Sequence, residues 1–230
     1  MKILALDSCS VTASAALLEN GELWCERFIN NGLTHSQTLM PLVDEVLKEC
    51  DVKPADLDAL AITKGPGSFT GVRIGIAALK GMGDALGIPC IGVSSLEAAA
   101  QPFYNGDSLV CAVMDARCNQ VYTASFYKGE RLCEDKALLI DELAEELEKQ
   151  NKEVLFVGDG ALMCLEKLKD RLKNVNAIAD DSRFIHAEAV GKLAFKNKDT
   201  AVSAQELLPF YLRLLQAERQ LKLKKENKKC

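Results

Sequence analysis

Two aspartates 108 residues apart, Asp7 and Asp115, each close a short apolar run, which is where a carboxylate can organise a metal ion and its water around the phosphates of a nucleotide. The same residue at a strand end also serves simply to form a turn. Phosphate chemistry would further need backbone amides that can approach the ligand closely. Gly65-Pro66-Gly67 and Gly158-Asp159-Gly160 each follow an apolar run and precede a helical pattern, the arrangement in which a helix start holds an anion. The local sequence favours turns over phosphate. Ser8, Cys9 and Ser10 follow Asp7 with side chains where a close approach would call for glycine. The run Gly65 to Gly71, GPGSFTG, lacks the Gly-Lys-Ser/Thr ending of a phosphate-binding loop and the spacing of the dinucleotide fingerprint. Its glycines suffice to turn the chain and to let a helix pack closely, with Ser68 or Thr70 as the cap. Asp7, Asp115, Gly158 and Gly160 are therefore candidates for residual nucleotide affinity only, and no cofactor is expected. An actin-like phosphotransferase using Asp7 and Asp115 is the alternative reading.

Nucleophilic and metal chemistry find less support. The two histidines, His35 and His186, stand far apart in different contexts, so no Ser-His-Asp or Cys-His arrangement can be assembled. Nine cysteines, an odd number without a CxxC pair, suit reduced and mostly buried thiols better than disulfides or a zinc site.

The elements that must position these residues repeat. With an offset of 108, Ile3 to Arg27 matches Cys111 to Asp135: Asp7 falls on Asp115, Gly21 on Gly129 and Cys25 on Cys133. Each copy reads as an apolar strand ending in Asp, a second strand, a tight turn at Asn-Gly or Lys-Gly, and a third strand. A helix, a strand ending in the glycine turn and another helix follow in each half. The fold class is thus α/β, two similar lobes of sheet flanked by helices, divided near Gln101 to Ser108. The lobes are assigned to 1–102 and 103–218, with a basic tail at 219–230 carrying Lys222, Lys224, Lys225, Lys228 and Lys229.

In the first lobe, Thr34 and Gln37 have the spacing of a capping box for a helix through Cys50, whose buried face holds Leu39, Val43, Val46 and Leu47. Pro41 implies a kink or a later start. Ala59 to Thr63 and Ile88 to Val93 read as strands, and Ser94 to Gln101 as a short helix. The helix Thr70 to Leu86 is unusual, because Arg73, Lys80 and Asp84 are only a thin polar stripe on it. It lies either inside its own protein or against another one. In the second lobe Leu138 to Gln150, Ala161 to Leu172, His186 to Asn197 and a closing segment Leu207 to Gln220 read as helices.

A net charge of −5 and a pI near 5.3 argue against autonomous binding to nucleic acid. Asp7 interrupts the first apolar run too early for a signal peptide, and no apolar stretch reaches membrane-spanning length, so a cytoplasmic protein is expected.

Six stretches carry a resemblance over nearly the whole chain: ILALDSCS at 3–10, HSQTLMPLVDEVL at 35–47, KGPGSFTGVRIG at 64–75, GIPCIGVSSLEAAA at 87–100, VMDARCNQVY at 113–122 and LLPFYLR at 207–213. They resemble the TsaB (YeaZ) family, a non-catalytic relative of TsaD in the formation of threonylcarbamoyladenosine beside the anticodon of tRNA. The resemblance implies a duplicated actin-like (ASKHA, ribonuclease H-like) fold and a subunit that is not an enzyme. It implies pairing with TsaD through the helices at 34–50 and 70–86, with Leu39, Val43, Leu47, Gly71, Ile74, Gly75, Ala78 and Met82 as interface residues. TsaE would join a larger complex, tRNA would be reached only through that complex, and the same face would form a homodimer when the chain is alone. Where TsaD carries two metal-binding histidines one helical turn apart, this sequence has Ser95 and Ala99, which supply no imidazole. A glycoprotease-type metallopeptidase is the other enzymatic alternative. Cys118 and Gln120 depart from the Arg-Arg-Gly-Glu-Val-Tyr pattern that the family more often shows after the Asp-Ala of the second lobe.

Overall fold

A computed structural model describes residues 1–213. The unbroken apolar run after Lys2 makes β1 (Lys2–Asp7) a strand buried on both faces, and the rest of the first sheet assembles around it. β2 (Ala13–Glu19) pairs with it antiparallel, with Ile3 opposite Leu18, while β4 (Ala59–Thr63) pairs parallel, with Leu6 opposite Ile62. β3 (Glu22–Ile29) and β5 (Cys90–Val93) complete the order β3-β2-β1-β4-β5. Asn20 and Gly21 both have positive φ, 53° and 88°, as a two-residue hairpin turn requires.

The second sheet repeats the plan with the order β11-β10-β6-β7-β8. Its members are β6 (Leu109–Asp115), β7 (Gln120–Tyr127), β8 (Glu130–Arg131), β9 (Lys136–Leu139), β10 (Val154–Val157) and β11 (Val175–Ala177). Lys128 and Gly129 reproduce the positive-φ hairpin. The expected third strand is split in this half. β8 holds only two residues before Leu132 to Asp135 leave the ladder, and β9 then returns to pair with β7 between Gln120 and Thr123.

Among the described residues six α-helices pack on these sheets: α1 (His35–Glu49), α2 (Phe69–Leu86), α3 (Ser95–Ala100), α4 (Ile140–Glu148), α5 (Ala161–Leu168) and α6 (Ala187–Lys196). Thr34 is the N-cap of α1, but its hydroxyl donates to Gln37 Oε1 (3.0 Å) and accepts nothing from the helix backbone, so the expected capping box is absent. The helix starts at His35 and runs through Pro41. Ser68 caps α2 by accepting from Gly71 N (3.3 Å), and Gly87 ends it in the left-handed conformation (φ 67°).

α1 and α2 cover the face of the first sheet that carries Ile62, against which Gly75 packs. The other face, which carries Leu18, is covered by α6, whose Gly191 lies directly on that leucine. Strand alternation separates the two, since Leu18 pairs with Ile3 and Ile62 with Leu6. α3, which comes from the first half of the sequence, packs instead on β6 and β7. Each half thus lends one helix to the other half's sheet.

The closing segment differs from the sequence expectation. Leu207 to Arg213 is not helical, because Pro209 disfavours helix at Leu208 and the Phe210 N–H is taken by Lys64 O (2.7 Å). The remainder of that expected helix and the basic tail lie outside the described residues. Among the described residues no helix is long and apolar enough to cross a membrane.

Candidate functional site

β1 and β4 run parallel and in register, so Asp7 and Thr63 end side by side. Thr63 Oγ1 donates to Asp7 Oδ1 at 2.5 Å, Cys9 N donates to the same oxygen at 3.2 Å, and Asp7 Oδ2 is buried without a partner. Burial pushes the Asp7 carboxyl up to about 7, against the lowering effect of the Thr63 and Cys9 hydrogen bonds. The loop after β1 is stitched down over it. Ser8 Oγ donates to Gly71 O (3.0 Å), Cys9 Sγ donates to Thr63 Oγ1 (3.0 Å), and His35 Nε2 donates to Ser10 O (2.9 Å). Burial also raises the Cys9 thiol far above its ordinary range, which makes it inert as a nucleophile.

Asp115 ends β6 in the equivalent place but is half-buried. Its Oδ1 accepts from Arg117 N (2.8 Å), its Oδ2 lies 3.4 Å from the Arg117 guanidinium, and its own N–H donates to Asp159 Oδ1 (3.0 Å). Burial, first among the causes, lifts the Asp159 carboxyl to about 6. Gly158 and Gly160 turn toward β6, not toward open space. A methyl group on Gly158 (φ 98°) would lie 2.2 Å from Val113 O, and Gly160 N donates to that oxygen at 3.1 Å. Their glycine character is a packing requirement. Arg117, Cys118 and Asn119 all have positive φ, and Asn119 stands where the family pattern has the glycine suited to that conformation.

Between the two sheets lies a cleft of about 780 Å³, walled by the loops after β1, β4 and β6. Asp115 and Asp159 line it, whereas Asp7, Gly158 and Gly160 do not. Sequence reasoning did not place two contributors here: Arg183, and the segment Phe210 to Arg213, which crosses the cleft. Tyr211 packs against Phe69 with the rings tilted (5.0 Å between ring centroids) and accepts from Arg73 Nε (3.0 Å), while Arg213 donates to Ala116 O on the opposite side. Only the tertiary fold brings these residues together.

Ser95 and Ala99 are both wholly buried, Ser95 with its hydroxyl unpartnered. The histidines serve separate elements. His186 Nδ1 pairs with Glu26 Oε2 (2.9 Å) and its ring stacks on Phe28, while His35 holds the loop after β1. Among the described residues no group of three or more His, Cys, Asp and Glu side chains is placed to hold a metal ion.

The expected interface residues divide into two sets. Leu39, Val43, Leu47, Gly71 and Gly75 are buried within the chain itself, which corrects their assignment to a surface. The leucines and valine form the core face of α1, and Gly71 and Gly75 let α2 approach Ser8. Ile74, Ala78 and Met82 are half-buried. Around them, Ala77, Gly81 and Ala85 are exposed at successive helical turns of α2, and Met40 is exposed on α1. Nothing lies within 4 Å of the place a Gly81 side chain would occupy.

Among solved structures, component A of the (R)-2-hydroxyglutaryl-CoA dehydratase of Acidaminococcus fermentans shares the architecture over 87% of this chain and 100% of its own, with a TM-score of 0.50 at 14% identity. The duplicated sheets with exchanged helices place the molecule in the actin-like α/β class. The family model TsaD, tRNA N6-adenosine threonylcarbamoyltransferase, matches residues 32–219. The tRNA threonylcarbamoyladenosine biosynthesis protein TsaB of Bacillus subtilis is 35% identical over 95% of this chain and 96% of its own. YeaZ from Pseudomonas aeruginosa superposes with a TM-score of 0.77 at 30% identity, covering 92% of this chain and 99% of its own. The chain belongs to this family, in its TsaB (YeaZ) branch.

Proposed function

We propose that this chain takes part in forming threonylcarbamoyladenosine in tRNA as a non-catalytic subunit that binds a TsaD protein and supports its activity. The observation that carries this reading is the outward side of α2, where Ala77, Gly81 and Ala85 expose backbone and small side chains beside half-buried Ile74, Ala78 and Met82. Such a surface lets a second helix approach closely and bury apolar area at little cost in desolvation. Two further features support the same reading: the candidate carboxylate Asp7 is shut inside the protein, and Ser95 and Ala99, where TsaD carries its histidines, are wholly buried and supply no metal-binding imidazole. TsaE as a third component, tRNA contact through the complex and self-pairing of the chain alone belong to the same proposal.

Gly81→Arg tests it. The new side chain meets open space in the free protein and arginine favours a helix over glycine, so the thermal midpoint should be no lower than that of the wild type while co-elution with purified TsaD on a sizing column is lost. An intact complex with the variant would remove α2 as the docking surface, and no complex with the wild type would remove the scaffold role itself.

A further inference from the structure

Cys25 and Cys50 belong to different elements, the edge strand β3 and the C-cap of α1, which packs against that strand. Both are free thiols. The Cys25 side chain is directed at the end of the helix, since its Sγ donates to Glu49 Oε2 (3.0 Å), one residue before Cys50. Glu49 is held in place by an ion pair with Arg27, two residues along β3 from Cys25. Cys50 packs half-buried against the core cluster that contains Cys25, and the two thiols are close enough to act on each other as hydrogen-bond partners. Cys25 is only 6% exposed, so Cys50 is the member of the pair that solvent reaches more readily. No metal site accounts for the juxtaposition, because among the described residues no group of three such side chains is placed to hold one.

We propose that Cys25 and Cys50 are a modification site, closing to an intramolecular disulfide by exchange with a small-molecule disulfide such as oxidised glutathione and so fixing the end of α1 to the edge of the first sheet. Cys50, as its thiolate, attacks one sulfur of the oxidant, which forms a mixed disulfide and expels the first glutathione. Cys25 then attacks the Cys50 sulfur, passes its proton to Glu49 and expels the second. The two expelled thiolates take up the two protons that the cysteines lost, so two protein thiols are oxidised while one glutathione disulfide is reduced to two thiols. Burial pushes the Cys25 thiol up to about 12 and raises Cys50 as well, which keeps thiolate scarce and closure slow. A strongly oxidising disulfide owes its potential to a stabilised reduced form. This pair lacks that stabilisation, so the bond once made resists reduction.

The test incubates the reduced full chain with excess oxidised glutathione at pH 8.5, quenches in acid and maps the cysteines by mass spectrometry after digestion. The expected product is a linked pair of peptides carrying Cys25 and Cys50, two hydrogens lighter than the separate peptides together and parted again by dithiothreitol. The closed form should melt about 5–10 °C above the reduced form, because the bond ties residues 25 positions apart in the unfolded chain. Cys25→Ser and Cys50→Ser should each abolish both the link and the thermal gain, with melts of the reduced variants checking that they fold. The exposed Cys118 reports that the oxidant is active by taking up glutathione. Alkylatable thiols at Cys25 and Cys50 beside a glutathionylated Cys118 overturn the proposal. A link that forms only in urea, or a thermal gain that survives in either variant, overturns it equally.

Discussion

Placing an alanine at Gly75 and at Gly81, one at a time, should move stability in opposite directions although both are interior positions of one helix. Alanine favours a helix over glycine by about 0.8–1 kcal/mol. At Gly81 nothing lies within 4 Å of the added methyl, so the whole gain is realised. A chain of this size should then melt about 2–4 °C higher. At Gly75 the methyl would sit 2.3 Å from Ser8 Oγ and 2.8 Å from Ile62 Cδ1. Overpacking of this kind costs about 1–3 kcal/mol. Ser8 cannot simply swing away, because its hydroxyl is bonded to Gly71 O, and losing that bond adds about 1 kcal/mol. After the helix gain is subtracted, Gly75→Ala should destabilise by about 1–3 kcal/mol. Urea titration of wild type and both variants measures this directly, as shifts of midpoint at unchanged slope. If Gly75→Ala proves as stable as Gly81→Ala, α2 does not press on the loop after β1 as described, and the division of that helix into an inner and an outer side fails with it.

Two pH effects follow from the buried acids and the histidine. The folded chain keeps a proton on Asp7 up to about pH 7, whereas the unfolded chain releases it near 3.8, so stability should decline as pH rises between those values. Asp7→Asn should flatten that decline in a series of melts from pH 4.5 to 8, and an unchanged slope would contradict the burial of a single titrating carboxyl there. His186 is raised above its ordinary 6.5, first by the Glu26 hydrogen bond, so its contribution is full below 6.5 and is lost as pH climbs through the elevated value. Replacing Glu26 by Gln should bring the proton-NMR titration midpoint of His186 back down, and an unmoved midpoint would remove Glu26 as the cause.

Much of both sheets was legible because their signals are local. The apolar run of β1, the Asn20-Gly21 and Lys128-Gly129 turns, and the glycine turns after β4 and β10 each act within a few residues. The α/β class with two similar lobes followed from their order, and the actin-like fold from the family resemblance. The candidate site was legible in part. Asp7 and Asp115 do end equivalent strands, but whether such a carboxylate faces the cleft or the interior depends on Thr63 and Cys9, which meet it through parallel pairing and a loop crossing. Five of the eight expected interface residues turned out buried within the chain for a related reason. Periodicity marks Leu39, Val43 and Leu47 as the apolar side of α1 without saying that the sheet beneath them belongs to the same chain. On α2 the glycines that mattered inward, Gly71 and Gly75, look in sequence no different from Gly81, which faces out. Tertiary contact also decided the end of the described chain: Lys64 O captures Phe210 N, and Leu207 to Arg213 are irregular where a helix was expected.

The exchange of α3 and α6 between the sheets bears on how the polypeptide is made. While it emerges from the ribosome, the first sheet can form its strands and receive α1 and α2, but the surface around Leu18 stays bare until residue 196 has been synthesised. An early fragment ending near Ser108 would therefore present oily β-structure to chaperones, and the halves should melt together in one cooperative step instead of one after the other.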